Sequence, residues 1–165
     1  MFKRNKLGKK STFEDAIQHY LDGDIRDSAL GFAAWAKANG LAPRQDGVPA
    51  EWYIPYEEAC LCHIRFEPKY RFIFWYCDYS GEHDEGFMKA VQDHVVLCST
   101  CHPEPCSGGD ATIFGKEFKN VCKELTVQFE NPDGAAFEHV KQLLTYWKTA
   151  WHTSQSYHCR RQYRN

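Results

Sequence analysis

In residues 59–66 and 70–77, successive side chains would point to opposite faces of a strand, with a period of two. This pattern constrains the fold more than any other feature of the chain. In residues 59–66, one face would carry Cys60, Cys62, Ile64 and Phe66, and the other Leu61, His63 and Arg65. Residues 70–77 repeat the pattern, with Tyr70, Phe72, Phe74 and Tyr76 opposite Arg71, Ile73 and Trp75. Such alternation is typical of β-strands with two different faces.

Short turns join these strands to a third one. Glu57-Glu58 and Glu67-Pro68-Lys69 are both short enough for hairpin connections, and an aromatic-rich strand over 51–56 comes before the first of them. The economical arrangement is an antiparallel meander of three strands. Apolar residues in 112–114 and 125–129 predict further short strands, which would bring the sheet to four or five.

Apolar residues at intervals of three and four predict four helices around the strands. Their ranges are about 12–22, 24–40 and 83–97, followed by a long helix that starts at Asn131-Pro132-Asp133. The predicted fold is therefore α+β. It combines an antiparallel sheet of four to five strands with helices packed on one face and a cysteine-rich metal loop before a later strand.

The chain of 165 residues, 43% of them hydrophobic, has the size and apolar content of one independently folding domain. We assign that domain to residues 12–151, between a basic tail at 1–11 and a basic C-terminal tail at 152–165. No stretch approaches the ~18 apolar residues of a membrane span, and the N-terminus lacks the apolar core of a signal peptide. We therefore expect a cytoplasmic protein without a membrane partner.

The formal net charge of -2 provides no overall field to attract nucleic acid. Basic ends are typical of solvated tails, so nucleic acid is disfavoured as a partner. A nucleic-acid-binding accessory protein remains an alternative, because Lys116, Lys119 and Lys123 would lie near the cysteine loop.

Eight cysteines without an export signal are expected to stay reduced or to bind metal. Cys98 and Cys101 have the CxxC spacing of a metal-binding turn, Cys106 follows in a Pro- and Gly-rich loop, and Cys122 could close a four-sulfur site. His102 is the substitute fourth ligand. A structural zinc ion is the natural occupant. Unligated thiols, an iron–sulfur cluster and a redox dithiol remain open.

Aromatic residues are more abundant in 52–79 than one packed sheet face needs, so some of them could line a ligand pocket. The candidate pocket residues are Trp52, Tyr56, His63, Phe74 and Tyr76. The alternative is that these aromatic side chains simply fill the core of the domain.

The chain contains no nucleophile elbow, phosphate loop or HExxH motif, so no catalytic residue is assigned. We expect a non-catalytic binding module with a structural zinc site and an aromatic-lined sheet surface for a small molecule or a protein partner. A thiol- or metal-dependent enzyme is a further alternative.

Several strings of the chain carry a resemblance over residues 12–150. They are Ala33-Ala34-Trp35 before Asn39-Gly40-Leu41, Trp52 and Tyr56 before Cys62-His63-Ile64-Arg65, the cysteine loop, GKEFKNVC at 115–122 and NPDGAAFEHVKQLL at 131–144. In these strings the chain resembles a group of small, uncharacterised bacterial hypothetical proteins. That group has a tighter CxxCxxC, whereas here four residues separate Cys101 from Cys106, which strengthens His102 as a ligand at the expense of Cys106. The resemblance implies no activity.

Overall fold

The computed structural model describes residues 11–75, 79–98 and 108–153. Its helices in these ranges are α1 (Phe13–Tyr20), α2 (Gly23–Ala38), α3 (Glu85–Asp93) and α4 (Gly134–Thr153). Its strands are β1 (Arg44–Gln45), β2 (Glu51–Tyr56), β3 (Ala59–Arg65), β4 (Arg71–Phe74), β5 (Gly109–Ile113), β6 (Lys116–Val121) and β7 (Val127–Glu130). The α+β prediction is confirmed.

The main sheet has five antiparallel strands in the order β1-β2-β3-β4-β7, and β5 pairs with β6 in a separate hairpin. The predicted meander is present, since β2 pairs with β3 and β3 with β4. One row of directly opposed residues crosses four strands and consists of Trp52, Ile64, Phe72 and Phe129. All four side chains are buried. This row defines the core face of the sheet.

Aromatic side chains from the helices pack on that core face. Phe32 of α2 lies 4.9 Å from Phe72 between ring centroids, and Phe137 of α4 lies 5.7 Å from the same ring. Phe13 of α1 lies 5.3 Å from Trp52. The ring contacts that α1, α2 and α4 make with the sheet therefore all reach one face, as the alternation of residues 59–77 predicts.

The predicted helix over 83–97 is shorter than expected. Helix α3 ends at Asp93, and the residues after it are extended. The amide of Val96 donates to the carbonyl of Thr126 at 3.0 Å, and Leu97 pairs with Val121 of β6. Two consecutive β-branched residues, Val95 and Val96, favour this extended backbone. The segment consequently links the main sheet to the β5–β6 hairpin.

Removal of the Phe72 ring tests the importance of this packing. Because Phe72 is fully buried between α2, α4 and its own sheet, Phe72→Ala should lower the free energy of unfolding by about 3–5 kcal/mol. The exposed Val48 provides a control. Val48→Ala should change the free energy of unfolding by less than about 0.5 kcal/mol. Urea unfolding followed by circular dichroism measures both, and equal effects would contradict the assignment of the core.

Candidate functional site

Cys98 and Cys122 approach each other where the extended segment after α3 crosses the end of β6. Leu97 pairs with Val121, and the amide of Cys122 donates to the carbonyl of Val96 at 2.8 Å. The Sγ of Cys98 lies 3.9 Å from the carbonyl oxygen of Val121, which precedes Cys122 in the chain. Both cysteine side chains are buried. Two predicted metal ligands, separated by 24 positions in the sequence, are therefore near neighbours.

Gly108 lies directly against Cys98. A Cβ atom at position 108 would be 2.7 Å from the Sγ of Cys98, so a larger residue would not fit without a shift. Cys101, His102 and Cys106 lie outside the described residues. Within the part of the chain that is described, no group of three His, Cys, Asp or Glu side chains could hold a metal ion. Cys98 and Cys122 would be two members of a site whose other predicted ligands come from 99–107.

The aromatic residues predicted to line a pocket do not share one place. Trp52 and Phe74 are buried in the core, while Tyr56 at the end of β2 is only partly buried. His63 lies on the opposite face from Trp52, because it pairs with Tyr53 whereas Trp52 pairs with Ile64. Tyr76 lies outside the described residues. Most of the described aromatic residues of this stretch thus fill the core, which was the alternative interpretation.

A groove with a volume of about 540 Å³ lies between α2, the start of α3 and the outer side of α4. This size falls within the range of small-molecule sites in proteins. The lining residues are Trp35, His83, Asp84, Phe87, Glu138, Lys141, Gln142, Thr145, Tyr146 and Thr149. The six from α4 recur at intervals of three and four, so they form one stripe along the helix. The term helical groove denotes this cavity below.

Aromatic rings fix one end of the helical groove. The His83 ring makes edge contacts with Tyr146 at 4.9 Å, Phe114 at 5.1 Å and Phe87 at 5.5 Å between centroids. The hydroxyl of Tyr146 accepts from the amide of Ser80 at 3.2 Å and donates to its carbonyl at 3.0 Å. These contacts give the aromatic wall a defined position before any ligand arrives.

The charged groups of the helical groove are already engaged with protein atoms. The Nζ of Lys141 lies 2.6 Å from an oxygen of Glu138 and 5.9 Å from the ring centroid of Trp35. Asp84 caps α3, since its Oδ1 accepts from the amide of Phe87 at 3.0 Å. With two carboxylates and one ammonium group in the lining, the formal charge favours neutral or cationic ligands over anions.

The residues that line this groove come from three separate segments of the sequence, in and around α2, α3 and α4. The α4 stripe could be read from the 3.6-residue period, whereas the positions of Trp35 and His83 depend on how α2 and α3 pack against α4. No pattern within a single segment contains that information.

The lysines behind the nucleic-acid alternative lie on or beside the β5–β6 hairpin. Lys119 pairs with Asp110 at 2.6 Å, and the Nζ of Lys116 lies 5.0 Å from the ring centroid of Phe118. Neighbouring protein groups therefore already contact both positive charges. Among the helices that the structure describes, none combines the length and apolar character needed to cross a bilayer.

No protein-family model, no curated protein and no solved structure matches this chain.

His63 gives the structure a dependence on pH. Burial lowers the pKa of His63 below its ordinary value of 6.5, an effect that the carboxylate of Asp46, 3.3 Å away, only partly opposes. The unfolded chain therefore binds a proton more readily than the folded one. Stability is greatest above the unfolded pKa and declines as the pH falls from there through the lower folded pKa.

We expect His63→Gln to remove part of this pH dependence. The wild-type free energy of unfolding should fall between about pH 7.5 and about pH 5.5, and the variant should lose less over the same interval. Urea unfolding at the two pH values measures the difference. An equal loss in the two proteins would show that His63 does not contribute.

Proposed function

We propose that this protein is a non-catalytic binding module that takes a small planar molecule, neutral or cationic, in the helical groove. The observation that carries the proposal is a groove of about 540 Å³ whose lining combines four ring side chains with six polar or charged ones. Sites that bind small molecules commonly combine such apolar walls with a few fixed polar contacts.

The aromatic rings supply the favourable contacts for a planar ligand. Trp35, Phe87 and Tyr146 come from three different helices. Phe87 is buried, so a ligand ring would contact mainly the partly exposed rings of Trp35 and Tyr146. Aromatic pairs contribute about 0.5–1.5 kcal/mol each beyond the area that they bury. A ligand with a positive group also gains from the ring faces and from the carboxylates of Asp84 and Glu138.

The polar groups of the groove favour binding rather than catalysis. The hydroxyl of Thr145 donates to the carbonyl of Lys141 at 2.9 Å, and that of Thr149 donates to the carbonyl of Thr145 at 3.0 Å. Their protons are therefore committed to the helix backbone, whereas an activated nucleophile would direct its proton toward a base. The oxygens remain suited to accept hydrogen bonds from a ligand.

A variant that fills the groove tests the site. Thr145 is exposed and lies in the middle of the α4 stripe, so the side chain of Thr145→Trp would occupy the cavity without entering the core. We expect indole and benzamidine to bind the wild-type protein and the variant to bind them about tenfold more weakly or not at all, a loss of at least about 1.4 kcal/mol. Saturation-transfer NMR detects this binding.

Ala135→Trp is the matched control, because Ala135 is an exposed residue of α4 outside the groove lining. It adds the same ring and should leave the binding of both probes unchanged. Benzoate, an anion of similar size, should bind the groove more weakly than benzamidine. Wild-type protein that binds neither probe, or binding that survives Thr145→Trp, would contradict the proposal.

We also propose that a structural zinc ion holds the cysteine loop, with Cys98 and Cys122 among its ligands. The support is the burial of both sulfurs and their approach across the Leu97–Val121 pair. Zinc prefers four ligands in closed structural sites, and Cys101 with Cys106 or His102 would complete such a set. A metal crosslink would order a loop that cannot bury much apolar surface.

The zinc proposal predicts that Cys98→Ser and Cys101→Ser lower metal content and melting temperature together. Protein purified without a tag under reducing conditions should contain about one zinc ion per chain by mass spectrometry of the metals. Cys159→Ser provides a control that should change neither quantity. Wild-type protein without metal, or equal effects from all three variants, would contradict the assignment.

A further inference from the structure

Two arginines stand directly opposite each other on neighbouring strands of the main sheet. Arg65 of β3 pairs with Arg71 of β4, on the face of the sheet that points away from the core row. Like charges in directly opposed positions destabilise a sheet pair, so this arrangement has a cost unless an anion lies nearby. The strands on either side place Glu51 opposite Arg65 and Glu130 opposite Arg71.

Those two carboxylates do not saturate the hydrogen-bonding capacity of the arginine pair. Both oxygens of Glu130 accept from other groups, one from the Nε2 of Gln128 at 2.8 Å and one from the Nζ of Lys69 at 2.9 Å. Glu51 forms an ion pair with Arg65, with 3.5 Å between its Oε1 and the arginine Nε, a separation too long for a good hydrogen bond. Within the described residues, the buried Nε atoms of Arg65 and Arg71 have no hydrogen-bond partner.

Ring side chains lie beside the arginine pair on the same face. His63 and Ile73 are opposed residues two positions before Arg65 and two positions after Arg71, which places this row about 7 Å from the pair. The His63 ring lies 6.4 Å from the ring centroid of Tyr53 and 5.0 Å from that of Trp75. A short row of rings therefore runs beside the arginine pair in the register of the sheet, and its partly exposed members are Tyr53 and Trp75, since His63 is buried.

We propose that this face binds a small aromatic oxyanion, a phosphate or a carboxylate, with its charged group between Arg65 and Arg71 and its ring along the partly exposed Tyr53. Guanidinium groups bind such anions through paired, charge-assisted hydrogen bonds, and two of them side by side can hold one anionic group from both sides. The site is independent of the helical groove, which favours neutral or cationic molecules.

Lys69 offsets the charge of Glu130 at 2.9 Å, and the carboxylates around the arginine pair limit the size of the anion that can bind there. Asp46, Glu51 and Glu130 lie at the edges of the arginine pair and the ring row, where the successive phosphates of a nucleic acid strand would meet them. A single anionic group between the arginines avoids these carboxylates.

Calorimetric titration at low ionic strength tests the proposal with three probes, namely phenyl phosphate, benzoate and inorganic phosphate. We expect phenyl phosphate to bind about tenfold more tightly than inorganic phosphate, because only the former has a ring to place on Tyr53. Benzoate identifies the preferred anion: tighter binding of benzoate than of phenyl phosphate would assign the site to carboxylates, and the reverse order to phosphates.

Arg71→Gln should weaken binding of the preferred probe about tenfold or more, and Arg65→Gln should have a similar effect. Arg71→Lys, which keeps the charge but loses the planar fork, should give an intermediate affinity and tests the site even if a glutamine variant does not fold. Arg26→Gln is the control, since Arg26 is a partly exposed arginine of α2, away from the arginine pair of the sheet. Circular dichroism confirms that each variant is folded.

Three results would overturn the proposal. The first is the absence of binding of all three probes to the wild-type protein. The second is binding that Arg71→Lys and the folded glutamine variants leave unchanged. The third is equal affinity for phenyl phosphate and inorganic phosphate, which would remove the ring row from the site. None of these results depends on whether the helical groove binds indole, so the two proposals can fail separately.

Discussion

The packing of aromatic rings between the sheet and the helices is the interaction on which the rest of the structure depends. Phe72 lies at its centre, in contact with Phe32 of α2, Phe137 of α4 and Tyr70 beside its own strand. Rings of this size bury large apolar areas, and their edge contacts restrict how the layers can sit against each other. These ring contacts hold the helices and the sheet in one arrangement. That arrangement fixes which faces of the helices and strands lie at the surface.

Two surfaces of different chemistry follow from that arrangement. Because α4 buries Phe137, Leu143 and Leu144 in the core, its opposite stripe faces outward between α2 and α3, where the helical groove forms. The second surface exists because the strands alternate: each core residue of β3 and β4 alternates with one on the other face, which carries the arginine pair. The first surface is aromatic with a small excess of carboxylates. The second carries the opposed arginines Arg65 and Arg71.

The strands of the meander could be predicted from the sequence because the alternation that identifies each strand lies within that strand. A period of two places Ile64 and Phe72 on the core face and His63 and Ile73 on the other, and the register shows both pairs. The long helix could also be predicted, because apolar residues recur at helical spacing in this segment. The structure buries all of them: Phe137, Val140, Leu143, Leu144 and Trp147.

Other features could not be predicted because they depend on contacts between distant segments. β6 reads KEFKNV, and its predominantly exposed residues lack the apolar alternation of the meander, so only pairing with β5 identifies it as a strand. Strand β1 has only two residues, which are too few to show an alternating pattern in the sequence. The aromatic surplus of 52–79 suggested a pocket within that stretch, whereas Trp35, Phe87 and Tyr146 form the groove from three other segments.

The measurement that tests the central claim most directly is a protein-observed NMR titration with indole. We expect saturable shifts confined to the indole resonance of Trp35 and to amides around Phe87 and Tyr146, with residues of the arginine pair unaffected. Absence of shifts at high indole concentration, or shifts centred away from α2, α3 and α4, would contradict the assignment of the helical groove as a binding site.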